Sequence, residues 1–171
     1  PSELEEKLKN PNLRYIVPNI LEYWRKRDYL EEEAIIARET DSYRKKTVKA
    51  LHDAGAKLLL GTDTQQFFTL PGFSLHEELE HFVDAGLSPY EAIKAGTTYA
   101  AEFLQGSNEF GKVEVGLRAD LILLHSNPLK DVRNTTDRMG VMLRGKWFDE
   151  YELKQMLEDL ALSIEKRVSK E

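Results

Sequence analysis

The segment from Lys57 to Asp63, KLLLGTD, constrains the fold of this chain more than any other stretch. An apolar run of strand length, Leu58 to Leu60, ends on a glycine, a hydroxyl residue and a carboxylate. Such runs are typical of strands buried on both faces, as in parallel sheets and β/α barrels. We predict a strand over residues 56–60, preceded by a helix from about Leu30 to His52 that Ala54-Gly55 ends; together they are the αβ half of an α/β unit.

Asp63 follows that predicted strand directly, and two interpretations of it are open. In α/β folds the C-terminal ends of the strands carry the chemistry, where an aspartate can hold a metal ion or accept a proton from water. Alternatively, the side chain only ends the strand and caps the following turn. Spacing alone slightly favours the turn.

Composition limits the class of protein. The 171 residues fit one domain or a piece of a larger one, with 41% apolar and 32% charged residues as in soluble globular proteins. A net charge of −6 without a basic block argues against nucleic acid as a partner. No apolar stretch is long enough to span a membrane, and the absence of cysteine fits a reducing compartment, so we predict a cytoplasmic protein. Whether a leader peptide precedes Pro1 stays open.

The loop after Asp63 carries the candidate substrate contacts Gln66, Phe67 and Phe68. Aromatic side chains on a loop at the C-terminal end of a strand can form the wall of a binding pocket. Packing of the same rings on a neighbouring helix is an equally good interpretation.

Capping signals predict two helices beyond this loop. Ser74 with Glu77 three residues later predicts a capping box for a helix that ends near Gly86. Ser88 with Glu91 repeats the pattern and adds a proline at the first helical position, for a single helix to about Leu104. Upstream, we predict a short helix before Asn10 and another from Pro18, with Ile20, Leu21 and Trp24 on one face.

A composition change near Gly111 predicts two parts, residues 1–110 and 111–171. In the second part, strands are predicted over 112–115, 120–124 and 139–144, with a hairpin across Gly145 that continues into 146–148. A charged helix from about Tyr151 completes the chain, with an apolar stripe predicted at Leu153, Met156, Leu157 and Leu160.

Two runs of this sequence resemble one known family, the amidohydrolase superfamily. The run GTDTQQFFTLPGFSLHEELEHFVDAGLSPYEAIKAGTTYAAEFL, residues 61–104, is similar to the closing part of the barrel in its imidazolonepropionase-like and Xaa-Pro dipeptidase-like branch. The run GKVEVGLRADLILLHSNPLKDV, residues 111–132, resembles the return of the chain to a small β-sandwich beside the barrel. The resemblance implies an α/β fold: the C-terminal fragment of a metal-dependent (β/α)8 barrel, with residues 1–110 at its end, plus the C-terminal strands of the sandwich, 111–171.

The resemblance also implies a chemistry. Members of this superfamily hydrolyse C–N bonds, in amides, peptides or cyclic amides, with one or two divalent metal ions. Zinc is the default for histidine and carboxylate ligands, with manganese or iron open. Asp63 matches the aspartate of the eighth barrel strand, so the resemblance implies that it contacts the metal and accepts the proton of the attacking water.

The remaining ligands of the family are not found in this sequence. The family uses an HxH pair and further histidines, but the sequence has no HxH, and its four histidines lie elsewhere: His52, His76, His81 and His125. His52 is expected to pack or face solvent, His76 to serve local structure, and His125 to be exposed.

These observations predict a C-terminal part that is inactive alone and acts on a small amide or dipeptide in the complete protein. Its unpaired strands predict association with the missing N-terminal portion or with a second copy. Two alternatives stay open: a non-catalytic binding or assembly module, and a subunit that completes a split barrel.

Overall fold

The computed structural model describes residues 3–26, 30–64 and 66–168, which form an α/β structure with a small antiparallel sheet. In these ranges the elements are α1 (Glu3–Lys7), a first 3₁₀ helix (Pro11–Tyr15), α2 (Pro18–Arg25), α3 (Leu30–Asp53), α4 (Ser74–Asp84), α5 (Pro89–Gly96), α6 (Thr98–Phe103), β1 (Leu121–Leu124), a second 3₁₀ helix (Val132–Thr136), β2 (Arg138–Leu143), β3 (Lys146–Asp149) and α7 (Glu150–Val168). Pro1 and Ser2, where the first predicted helix begins, lie outside the described residues.

The sheet has the order β1-β2-β3, with both neighbouring pairs antiparallel. Leu121 lies opposite Met142, and Gly140 lies opposite Asp149. The strands predicted at 120–124 and 139–144 and the hairpin across Gly145 are thereby confirmed.

One core cluster joins the N-terminal helices to the loop after Asp63. Leu13, Trp24, Phe68 and Leu70 are its buried members, and Ile20 and Leu21 of α2 pack against them. The apolar face predicted for α2, with Ile20, Leu21 and Trp24, is confirmed, because these residues recur at helical spacing and meet the same cluster.

A second cluster joins α4 and α5 to the second 3₁₀ helix. Its buried residues are Leu79, Ala92 and Val132, and Leu60 packs against them from the KLLLGTD segment. Leu60 therefore anchors the segment that leads to Asp63.

The apolar stripe predicted on α7 is partly wrong. Met156 and Leu160 are exposed, whereas Ala161 and Ile164 are buried. The buried face of α7 therefore runs through Ala161 and Ile164, and Met156 lies to one side of it, since residues three to four apart share a helix face.

An ion pair also joins α7 to the N-terminal part of the chain. Arg14 of the first 3₁₀ helix donates two hydrogen bonds, of 3.1 and 2.7 Å, to the Glu158 carboxylate.

Two predicted strands are not strands in the described part of the chain: residues 56–60 and 112–115. A strand needs a partner for its backbone groups, and Leu60 N donates instead to Ala95 O of α5 at 3.4 Å. Val113 and Val115 are almost fully exposed, with no neighbouring strand in the described residues. The barrel and the sandwich that the resemblance implies stay predictions, as does the division at residue 111.

The helix predicted from Ser88 to Leu104 is two helices, α5 and α6, which meet at Thr97 with φ −126° and ψ −87°. Gly111 packs against this break, because a Cβ there would lie 2.5 Å from the Ala101 Cβ and 3.1 Å from the Thr97 carbonyl oxygen. The break is therefore a product of tertiary packing.

The two predicted capping boxes have different outcomes. At α5 the box is present: Glu91 N donates to Ser88 Oγ at 3.3 Å, and Ser88 N donates to Glu91 Oε2 at 2.8 Å. At α4 it is wrong, since the N-cap is Phe73 and the buried Ser74 Oγ accepts from Leu70 N at 2.9 Å. No helix of the described residues is both long and apolar enough to cross a membrane.

Candidate functional site

Asp63 lies in a turn, with a left-handed backbone (φ 48°) and an exposed side chain. Gln66 N donates to Asp63 O at 3.3 Å and so closes the turn. The Gln66 side-chain amide donates to Asp63 Oδ2 at 3.2 Å. Aspartate tolerates the left-handed region better than most residues, which explains why this residue type can occupy the turn. The structure thus brings two of the predicted site residues, Asp63 and Gln66, into contact.

Helix α4 holds the backbone just before Asp63. Gly61 N donates to both carboxylate oxygens of Glu78, each at 3.0 Å. Sequence reasoning missed Glu78. Its helical spacing from Phe82, four residues on, could have indicated that it shares a face with a core residue.

The aromatic residues of the loop pack on α2. The Phe67 ring stacks on Tyr23 with centroids 5.6 Å apart, and the buried Phe68 ring lies 5.0 Å from that of Trp24. Phe68 also has a left-handed backbone, with φ 56°. Phe68 is 9% exposed and belongs to the first core cluster, so it supports this loop from inside.

A groove of about 150 Å³ opens beside this loop. It is lined chiefly by apolar side chains of the first 3₁₀ helix, α2 and the loop, among them Tyr15, Ile16, Ile20, Trp24 and Pro71. Thr69 also lines it, and Thr69 N donates to Gln66 O at 3.1 Å. Two consecutive hydrogen-bonded turns therefore lead from Asp63 to the groove.

Three of the four histidines contact polar or charged side chains away from Asp63. His52 Nε2 lies 2.9 Å from Glu91 Oε1, so it joins α3 to α5. His76 lies 2.8 Å from Thr135 Oγ1 and 3.2 Å from an Arg138 nitrogen. His125 is exposed and lies 3.5 Å from Glu150, while His81 is exposed on α4.

Surroundings shift the pKa of His76 and Glu91, among other groups in these contacts. Burial lowers the pKa of His76, and the positive charge of Arg138 lowers it further. Hydrogen bonds from the Ser88 backbone and side chain, and the neighbouring His52, lower the pKa of Glu91.

The residues described do not by themselves fit a divalent metal. Over residues 3–26, 30–64 and 66–168, no group of three or more His, Asp or Glu side chains could hold a metal ion. Asp63 offers one carboxylate, whereas zinc sites use three or four protein ligands. The metal that the family resemblance implies would need further ligands from outside these described residues.

Comparison with known proteins supports the resemblance. The family model described as "Amidohydrolase family" matches residues 3–148. Ochratoxinase from Aspergillus niger is 38% identical over 82 residues, which are 47% of this chain and 16% of that protein.

Solved structures agree. The structure of a bottromycin amidohydrolase matches with a TM-score of 0.74 and 25% identity, over 89% of this chain and 34% of that one. A putative prolidase from Bifidobacterium longum matches with a TM-score of 0.55 and 34% identity, over 67% and 30% respectively.

The matched part covers a limited share of these relatives, between 16% and 34% of their length. The family model nevertheless covers most of the present chain, from the first described helix to β3. The resemblance carried by residues 61–104 and 111–132 is confirmed. This chain belongs to the amidohydrolase family.

Proposed function

We propose that this chain is part of a metal-dependent hydrolase that cleaves C–N bonds, with a small amide, cyclic amide or dipeptide as substrate. Family membership supports this, as do hydrolase names among the similar proteins, which include an ochratoxinase, an amidohydrolase and a putative prolidase. The divalent metal, zinc by default, would take its other ligands from outside this chain. This chain alone would give no turnover.

The observation that carries the proposal is the geometry of Asp63. Its carboxylate is exposed at a turn that a core-anchored loop and helix α4 hold in place. Residues in sparsely populated backbone regions cluster at active sites, and Asp63 and Phe68 are two such residues in one loop. In the proposed reaction water attacks the amide carbonyl carbon and Asp63 accepts a proton of that water; the C–N bond then breaks, and the proton passes from Asp63 to the leaving amine nitrogen.

Gln66 has a defined part in this arrangement. Its amide donates to Asp63 Oδ2, and we propose that Oδ1 faces water or substrate. We propose that Gln66 and Phe67, which is half-buried on Tyr23, form one wall of the substrate pocket. Phe68 supports this wall from the core behind it.

Asp63→Asn in the complete protein tests the proposal. An amide cannot accept the proton, so we expect kcat to fall by about 10² to 10⁴-fold, the usual contribution of general base catalysis. Asparagine tolerates the left-handed backbone as aspartate does, so the circular dichroism spectrum and melting temperature should stay those of the wild type.

Asp159→Asn is the matched control, because it makes the same chemical change at an exposed residue of α7. Activity of this control should equal that of the wild type. Full activity in Asp63→Asn would show that Asp63 is not the base.

A different function is favoured by the contacts of the histidines. His52 and His76 are engaged with Glu91, Thr135 and Arg138, as in a structural role. A non-catalytic binding or assembly module, or a subunit that completes a split barrel, would have this property. Metal analysis of the purified complete protein distinguishes these hypotheses. Bound metal at stoichiometric amounts favours the hydrolase, whereas co-purification of a metal-carrying partner favours the split barrel.

A further inference from the structure

Glu78 of α4 binds the backbone just before Asp63, at Gly61. Both of its carboxylate oxygens lie 3.0 Å from Gly61 N, and Gly61 is two residues before Asp63. A carboxylate that accepts from a backbone N–H forms a stronger hydrogen bond than a neutral acceptor does.

The segment that Glu78 holds has few other tethers. Residues 56–60 form no ladder with a strand of the described part. Lys57 pairs with Glu102 at the start of the segment, and the hydrogen bond from Leu60 N to Ala95 O is long, at 3.4 Å. The hydrogen bond from Gly61 N to Glu78, at 3.0 Å, is therefore shorter than that of Leu60 and lies closer to the turn of Asp63.

Helix α4 is itself fixed, so it can transmit a position to this turn. Leu79, the residue after Glu78, is buried in the second core cluster, where Leu60 also packs. The apolar contact of Leu60 sets the distance between segment and helix, and the hydrogen bond from Gly61 sets the orientation of the peptide that follows.

We propose that Glu78 is a positioning residue for the proposed hydrolytic reaction: by binding Gly61 N it sets the place and direction of the Asp63 carboxylate. The proposal rests on the proposed role of Asp63 as base. Glu78 acts through the backbone and exchanges no proton with substrate.

The test compares three variants of the complete protein: Glu78→Ala, Glu78→Gln and Glu77→Ala. Glu77 is the adjacent, exposed carboxylate on α4, so its removal makes the same change in charge without touching Gly61. For each variant, kcat and KM are measured with the substrate of the complete protein. Hydrogen exchange of the peptide that covers residues 57–63 is measured by mass spectrometry.

We expect Glu78→Ala to lower kcat by about 10- to 100-fold with KM nearly unchanged, because small displacements of a reacting group cost this much. Exchange at residues 57–63 should become faster in the same variant. Glu78→Gln keeps one acceptor oxygen, so its kcat and its exchange should lie close to those of the wild type. Glu77→Ala should match the wild type in every measurement.

The proposal is overturned if Glu78→Ala keeps the wild-type kcat, or if its kcat falls while exchange at residues 57–63 does not change. It is also overturned if Glu78→Gln loses as much kcat as Glu78→Ala. Should Glu78→Ala fail to fold, Glu78→Met is measured in its place with the same expected and contradicting results, because methionine keeps the length of the side chain and has no oxygen to accept from Gly61 N.

Failure of the proposed function gives a different pattern. If Asp63→Asn is fully active while Glu78→Ala still loosens residues 57–63, the tether is real but Asp63 is not the base. If Asp63→Asn is inactive and Glu78→Ala is normal, the base stands and the positioning role of Glu78 is wrong.

Discussion

His76 uses both ring nitrogens, and its partners assign the tautomer. The single proton of the Thr135 hydroxyl goes to Val132 O at 2.8 Å, so Thr135 Oγ1 accepts from His76 Nδ1 at 2.8 Å. His76 Nε2 is then unprotonated and accepts from Arg138 at 3.2 Å. Neutral His76 satisfies every one of these hydrogen bonds, and it joins α4 to the second 3₁₀ helix and to β2.

Protonation of His76 should therefore destabilise the folded chain. Its folded pKa lies below the ordinary 6.5, chiefly because of burial and then because of Arg138, so the unfolded state binds more protons in the range between the two values. The contribution of neutral His76 to the free energy of unfolding is present above pH 6.5, and it is lost as the pH falls from 6.5 towards the folded pKa.

Urea unfolding at about pH 7.5 and about pH 5.5, on either side of the ordinary histidine range, measures this effect. The free energy of unfolding of the wild type should be lower at the acid pH. In His76→Gln this loss should be smaller. His81→Gln, a change at an exposed histidine of the same helix, should retain the full loss. An equal acid loss in wild type and His76→Gln would show that another group is responsible.

At the scale of elements, the hairpin of β2 and β3 depends on two different glycines. Arg144 and Gly145 both have positive φ, 50° and 82°, which is the pattern of a two-residue type I′ loop. Gly140, in the middle of β2, has a different task. A Cβ there would lie 2.2 Å from the Trp147 ring and 2.7 Å from Phe148 O, so the absence of a side chain at Gly140 makes room for the indole.

Gly140→Ala should destabilise the sheet. The Trp147 ring must leave its place, and overpacking of this kind typically costs about 1–3 kcal/mol. Thermal unfolding, followed by circular dichroism, measures the change. Gly140→Ala should lower the melting temperature less in a Trp147→Ala background than in the wild type, because the clash with the ring is absent there while that with the backbone oxygen stays. A wild-type melting temperature for Gly140→Ala alone would contradict this packing argument.

At the scale of the whole molecule, several large apolar side chains are open to solvent. Val113, Phe103, Ile122 and Leu123 are all at least half exposed, and β1 is an edge of the sheet. Exposed apolar side chains and strand edges favour association. We propose that the rest of the protein, or a second copy of the chain, covers this surface.

The 171-residue chain alone should accordingly self-associate, with a mass in light scattering that rises with concentration above the 19.7 kDa of a monomer. Ile122→Glu adds a charge at the free edge and should shift the equilibrium towards monomer. Lys130→Glu changes charge at an exposed loop residue beyond the sheet and should leave the association unchanged. A monomer at every concentration would refute the proposal that this surface is covered by a second copy.

Local signals were sufficient wherever neighbours in the sequence supply the interaction. The capping box of Ser88, the face of α2 with Trp24 and the hairpin across Gly145 were predicted correctly for this reason. The family followed from residues 61–104 and 111–132, and with it the candidacy of Asp63. Its role as a base stays a prediction.

Contacts between distant segments decided the rest. A strand at residues 56–60 needs a partner strand, and the backbone there turns to α4 and α5 instead. The break at Thr97 lies where Gly111, from beyond α6, packs against it. The contact of Glu78 with Gly61 depends on how α4 packs against the segment before Asp63. Sequence shows which residues can donate or accept a hydrogen bond, whereas tertiary structure alone shows which of them meet.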